Sequence, residues 1–360
     1  MAARTFGLGI VGCGVIAPFH AMAAGDLPNA RLVAVADIVP EAAARRGAEF
    51  GVEHHTDVDA LLARNDVDVV SVCVPSGLHA EVGARAAAAG KHVIVEKPID
   101  VTLEAADRLI AACRRHGVAL TVISQHRFNP AVRRMRELID AGRLGRLVLG
   151  DAIVKWYRSQ EYYDSGDWRG TWSLDGGGSL MNQGVHYTDL LQWMMGPVEG
   201  VFARTATAVH ERIEVEDVAV AIVRFAGGAV GTLEASTAVY PGLTERLEVT
   251  GTGGTVIVEG GRLRACELKD ERGETSAYGA KLAADRPAAE DGGAGGAADP
   301  AAISHAGHRA QIADLLEAVE TGRDPAITGE EARKPLELIL AVYRSAREGR
   351  EVALPLAATQ

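Results

Sequence analysis

Two titratable side chains, far apart in the chain, stand in contexts suited to proton transfer. Lys97 follows an apolar strand-like run, residues 92–95, and lies between Glu96 and Pro98. His186 lies in Gly-Val-His-Tyr-Thr-Asp, just ahead of the apolar helical stretch 190–195. An ammonium can hydrogen-bond a reacting hydroxyl and help carry its proton, and a neutral imidazole can accept that proton near pH 7. A lysine after a strand is ordinarily a solvated charge, and a lone helical histidine is ordinarily structural. Their neighbours set these two apart. Lys97 is held between an acid and a proline, at a bond open to the cis form. His186 follows Gly176-Gly177-Gly178 and Asn182, with Trp168 and Trp172 close by in sequence. Asp189, three residues on, shares its helix face.

The N-terminus supplies a site of a different kind. Leu8 to Val11 reads as a buried strand, and Gly12-x-Gly14-x-x-Ala17 is the turn that joins strand to helix in dinucleotide-binding folds. Gly12 permits the tight turn, Gly14 lets a pyrophosphate approach, and Ala17 lets helix and strand pack closely. Val15 and Ile16 open the helix, whose free N–H groups favour phosphate. Residues 31–36, RLVAVA, form a second strand ending at Asp37, about 20 residues past the turn, where the ribose-binding acid belongs. Ile38-Val39-Pro40 brings no cation to a 2′-phosphate, so the expected cofactor is NAD rather than NADP.

Strands and helices alternate to about residue 124, which predicts a doubly wound parallel sheet with right-handed crossovers. Ligands bind past the carboxyl ends of such strands. That edge gathers Pro75, Ser76, His79, Glu96 and Lys97 with the glycine turn and Asp37. His79 is balanced between hydrogen bonding at a helix start and a role beside the cofactor. From 201 to 258 the pattern becomes antiparallel sheet, with Val218, Val220 and Ile222 on one side and Ala219, Ala221, Val223 and Phe225 on the other. Apolar residues on both sides imply helices over one face and another subunit over the other. A glycine- and alanine-rich loop at 290–300 and two closing helices follow.

The chain of 360 residues suits two domains, 1–124 and 125–360, with the closing helices candidates to pack back on the first. A net charge of −11 argues against nucleic acid, and no apolar run reaches membrane length. The four cysteines form no CxxC pair, so buried thiols in a reducing cytoplasm are expected, with no metal site.

Together, Gly12-x-Gly14-x-x-Ala17, Glu96-Lys97-Pro98, Gly176-Gly177-Gly178, Gly184-x-His186-x-x-Asp189 and the closing Glu330-Glu331-Ala332-Arg333 resemble the Gfo/Idh/MocA family of NAD(P)-dependent sugar oxidoreductases. The resemblance spans nearly the whole chain. It implies an N-terminal Rossmann domain and a C-terminal α+β domain with a large open, mostly antiparallel sheet used for homodimers or homotetramers. It also implies hydride transfer between nicotinamide C4 and a secondary alcohol of a sugar, sugar derivative, cyclitol or nucleotide sugar. Lys97 matches the family's Glu-Lys-Pro lysine and His186 its helix histidine. Asn182 stands where the family often has Asp, so a Lys–Asp–His relay does not carry over. On that departure Asn182 becomes a group that positions substrate, and Asp189 the nearest substitute charge. Arg127, Trp168 and Arg169 fall where relatives line the sugar pocket. Two other readings keep the scaffold: an NAD-dependent glycosidase working by transient oxidation and elimination, and a non-catalytic dinucleotide or sugar sensor.

Overall fold

A computed structural model describes residues 4–269 and 304–357, with the backbone of 275–276 and 279–280. The glycine-rich segment expected at 290–300 lies outside the described residues. The first sheet holds β1 (Phe6–Val11), β2 (Ala30–Ala36), β3 (Glu53–His55), β4 (Val69–Val72), β5 (His92–Val95) and β6 (Leu120–Val122), in the order β3-β2-β1-β4-β5-β6. Every pairing is parallel. All six residues of β1 and all four of β4 are buried, as β-branched and apolar runs between two helical layers must be. The order reverses between β1 and β4, which opens a crevice at their carboxyl ends. The intervening helices carry their own stop signals. Thr102 Oγ1 accepts from Ala105 N to start helix Leu103–His116, and Gly117, left-handed at φ 65°, ends it.

After β6 the chain passes through a short turn, residues 125–128, and helix Pro130–Asp140 into the second sheet. That sheet contains β7 (Leu147–Lys155), β8 (Val198–Ala206), β9 (Val218–Phe225), β10 (Val230–Ser236), β11 (Arg246–Gly251), β12 (Gly254–Glu259) and β13 (Arg262–Leu268). Their order is β13-β12-β11-β7-β10-β9-β8, with the short strand Val352–Ala353 at the far edge. Only β7 and β10 run parallel; the other pairs are antiparallel. In β9 the alternation is clean: Ala219, Ala221, Val223 and Phe225 are buried, whereas Val220 and Ile222 are 46% and 58% exposed. Helices Val185–Met195 and Gly329–Glu348 cover the buried face. The other carries Leu149, Phe202, Val220, Ile222 and Val230 as exposed apolar surface.

The closing helices return to the first sheet. Ile312, Leu315 and Leu316 of helix Ala306–Thr321 share a core with Phe6, Leu8, Ala23, Val69 and Ile94. Helix Gly329–Glu348 packs on both Leu103–His116 and β8. No described helix is long and apolar enough to cross a membrane.

Arg127, which the resemblance places among the residues lining the sugar pocket, is held by carboxylates of the protein. It is buried, with Nε 2.8 Å from Asp189 Oδ2 and Nη2 2.6 Å from Asp189 Oδ1, and Glu331 takes a further nitrogen at 3.4 Å. Its guanidinium also lies 5.0 Å from the Trp193 ring centroid. The forked pairing has a physical cause: a guanidinium this deep needs carboxylates of its own. Breaking such a pair strands a buried charge at about 3–5 kcal/mol. Asp189 is thereby engaged, and the clamp ties the end of the first sheet to the helix that carries His186.

Candidate active site

The glycine turn is shaped as its spacing requires. Gly12 has φ 99°, and a Cβ there would meet Cys73 O at 2.4 Å, so only glycine fits. At Gly14 a Cβ would find nothing within 4 Å, which leaves backbone open to a ligand. Helix Ala17–Gly25 has no side-chain cap on its first turn; Pro18 lacks an N–H and Phe19 N donates to Ile16 O at 3.0 Å, so the N–H groups left for phosphate are those of the turn leading into Ala17. Asp37 Oδ2 accepts from Cys13 N at 2.7 Å and Oδ1 from Val39 N at 2.8 Å, which fixes the acid beside the turn. Val15, Ile38 and Val39 stand exposed around it, apolar walls of the kind an adenosine packs against. These features fit a dinucleotide. Arg46 is unforeseen by the sequence pattern: from helix Pro40–Phe50 it donates to Gly14 O at 3.1 Å.

Farther along the edge, two expected cofactor residues face inward instead. The Glu96 carboxylate accepts from His20 Nε2 at 2.9 Å, His308 Nε2 at 3.3 Å and Lys97 N at 3.1 Å. Burial alone would raise its pKa, but the His20 and His308 hydrogen bonds hold it well below the ordinary range. One potential ligand atom from each of this trio lies within 4.8 Å of the others, and Glu96 Oε1 is shared between His20 Nε2 and His308 Nε2. His79 is also buried, its ring nitrogens 2.7 Å from Pro98 O and 2.9 Å from Val74 O. Both residues serve the turn around the Lys97–Pro98 bond, which is cis, rather than reaching outward. A buried carboxylate or imidazole is drawn to whatever satisfies it, and here that is protein. Ser76 is buried in the short turn Ser76–Leu78 after Pro75. Gly77 N donates to Leu174 O at 2.9 Å, and a Cβ on Gly77 would meet Ser173 O at 2.3 Å. The segment around Leu174 therefore docks directly on the cofactor edge.

Lys97 Nζ donates to Asn182 O at 2.9 Å and lies 3.3 Å from Asn182 Oδ1. Burial lowers its pKa, and Arg169 and Arg158 lower it further, while Glu96 and Asp175 oppose them. His186 and Lys97 line one small cavity with Ile99, Ser124 and Val185. The two residues singled out by sequence thus meet. Burial, then His126 and Lys97, push the His186 pKa well below its usual value, which keeps the ring neutral at pH 7. His126, whose ring centroid lies 4.7 Å from that of His186, is a neighbour no motif announced.

Asn182 and His186 are set by a π-helical turn, Leu180–Gly184, that runs into helix Val185–Met195. The three glycines before it are packed rather than flexible. A Cβ on Gly177 would come within 2.2 Å of the Tyr343 hydroxyl, and one on Gly178 within 1.7 Å of Glu216 O. Glu216, a residue without a sequence signature, accepts from Gly178 N and Leu180 N, each at 2.8 Å, and from Ser179 Oγ at 3.3 Å. Trp168 and Arg169 lie at the border of the site. The Arg169 guanidinium stacks 4.4 Å from the Tyr162 centroid and 4.5 Å from that of Trp168, and Arg158 lies 5.6 Å from Tyr162.

Comparison with known proteins finds relatives along nearly the whole chain. Residues 6–124 match the oxidoreductase family with an NAD-binding Rossmann fold, and residues 132–257 match the GFO/IDH/MocA C-terminal domain. The WlbA dehydrogenase from Bordetella pertussis, solved with NADH and UDP-GlcNAcA, is 35% identical with a TM-score of 0.84, over 98% of this chain and 100% of that one. Its counterpart from Chromobacterium violaceum, also with NADH and UDP-GlcNAcA, is 33% identical with a TM-score of 0.85, over 99% and 98%. Myo-inositol 2-dehydrogenase of Thermotoga maritima is 26% identical over 96% of this chain and 98% of its own. The chain belongs to the Gfo/Idh/MocA family and is an NAD-dependent oxidoreductase.

Cofactor choice is expected to follow Asp37, whose carboxylate accepts from a 2′-hydroxyl and repels a 2′-phosphate. Asp37→Ser combined with Ile38→Arg removes the repulsion and adds a phosphate partner, so the ratio of kcat/KM for NADP over NAD is expected to rise. Equal use of NADP by the native enzyme would contradict this.

Proposed function

We propose that this member of the family oxidises a secondary alcohol on an anionic sugar, such as a sugar acid or its nucleotide-linked form, with Lys97 and His186 handling the proton. The observation that carries the substrate class is the cationic border of the site. The Arg169 guanidinium stacks 4.4 Å from the Tyr162 centroid and 4.5 Å from that of Trp168, and Arg158 lies 5.6 Å from Tyr162. Two guanidiniums therefore stand near the Lys97 ammonium, with Glu96 and Asp175 as the opposing acids. Such a border favours a substrate that brings negative charge. The two WlbA enzymes were solved with UDP-GlcNAcA, which carries a carboxylate and a diphosphate. Bound NAD supplies a hydride acceptor at nicotinamide C4. The glycine turn and Asp37 hold and orient the dinucleotide. The Lys97 ammonium hydrogen-bonds the reacting hydroxyl and stabilises negative charge developing on its oxygen. His186, neutral at pH 7, accepts the hydroxyl proton as the hydride leaves.

The exposed apolar face of the second sheet supports a homodimer or homotetramer assembled through it. The buried thiols of Cys13, Cys73 and Cys113 suit a reducing, cytoplasmic compartment. Light scattering at micromolar concentration should give a multiple of 37.8 kDa; a stable monomer would remove the assembly reading.

Substrate class is tested by following NADH formation over a panel of sugar acids, nucleotide sugars, neutral sugars and cyclitols. Anionic sugars are expected to give the highest kcat/KM, with NADH accumulating through many turnovers. On the best substrate, Lys97→Met and His186→Ala are each expected to lose roughly 100-fold or more in kcat while NAD affinity stays close to native. Neutral cyclitols outranking every anionic sugar would overturn the substrate class. Near-native turnover in either variant would remove that residue from the proton's path.

A further inference from the structure

One of the two acceptors that hold Lys97, the Asn182 side-chain amide, is itself held. Asn182 Nδ2 donates to Asp175 Oδ1 at 2.8 Å, and Asp175 Oδ2 accepts from Gly170 N at 2.9 Å. Asp175 is 2% exposed, so its carboxylate answers to these partners rather than to water. An ionised carboxylate only accepts, so the amide nitrogen must face it, and the amide oxygen is then turned toward Lys97. Rotated by half a turn, the same amide would present N–H groups to the ammonium.

We infer that Asp175 is a positioning residue that works through the Asn182 amide to aim Lys97 Nζ into the active site. The inference rests on the proton-handling role proposed for Lys97. Lys97 rises from the first sheet, whereas Asn182 and Asp175 come from the segment that leads into helix Val185–Met195. The chain Lys97–Asn182–Asp175 therefore spans the seam between the two halves. The docking of Gly77 N on Leu174 O fixes the backbone beside Asp175. Arg169 lies in the same segment, so a substrate held at Arg169 leans on the element that orients the lysine.

A charge readout separates this role from mere packing. Lys97 is faced by Glu96 and Asp175, by the guanidiniums of Arg169 and Arg158, and by the rings of His186 and His126. Asp175 in turn faces Lys97 and Arg169, with the Tyr162 phenol nearby. Neutralising Asp175 leaves Glu96 alone against two guanidiniums, so Lys97 loses its proton at lower pH.

The test measures kcat against pH, KM and NAD affinity for Asp175→Asn, Lys97→Met and the double variant Asp175→Asn with Asn182→Asp, all as NAD-bound full-length enzyme. Asp175→Asn is expected to lose on the order of 10- to 100-fold in kcat, as misaligned catalytic groups do. Its NAD affinity and melting temperature should remain near native, and its alkaline limb should move to lower pH. The double variant, which puts a carboxylate directly on the ammonium, is expected to regain rate and move that limb back up. Lys97→Met inactive with Asp175→Asn native in rate and pH profile would overturn the inference and leave the lysine's role standing. An active Lys97→Met would overturn that role first. A double variant no better than Asp175→Asn, with both folded, would also refute the positioning role.

Discussion

A cation that leaves bulk water has to be met by acceptors, and the seam of this enzyme is arranged around one such cation. Lys97 stands at the end of β5 with its ammonium on the oxygens of Asn182. Each surrounding device holds one end of that contact. On the lysine's side, Glu96 is locked by His20 and His308, and His79 clamps Pro98 and Val74. On the asparagine's side, Glu216 gathers the N–H groups ahead of the π-turn, and Asp175 orients the amide. The Arg127–Asp189 pair then ties the helix bearing His186 to the end of the first sheet.

The parts that are legible in sequence are those with local causes. Gly12 and Gly14 answer to the geometry of a single turn, Asp37 to a strand end, and Thr102 to a helix start. The two sheets follow from hydrophobic period alone. Charged residues near a motif are harder. Arg127 and Glu96 look like ligand contacts because their partners are distant: Asp189 is 62 residues from Arg127, and His308 is 212 from Glu96. Asp175 is missed for the opposite reason. It lies seven residues before Asn182, a spacing that a regular helix would hold about 10 Å apart along its axis, and an irregular turn joins them.

The second sheet shows how one strand pattern serves two surfaces. Small residues of β9 (Ala219 and Ala221) lie under the helices, while larger ones (Val220 and Ile222) face outward. Apolar area of that kind costs solubility in an isolated chain, and a second subunit would relieve it. An assembly on that face would leave the reacting groups at the seam free of the interface.

The most direct measure of the central claim is the protonation of Lys97 itself. An NMR titration that follows the Lys97 side chain in the NAD-bound enzyme should find its midpoint below that of the solvent-exposed lysines, because burial and two guanidiniums lower it. A Lys97 signal that titrates together with the surface lysines would contradict the account, since it would mean that the ammonium is in water rather than held at the seam.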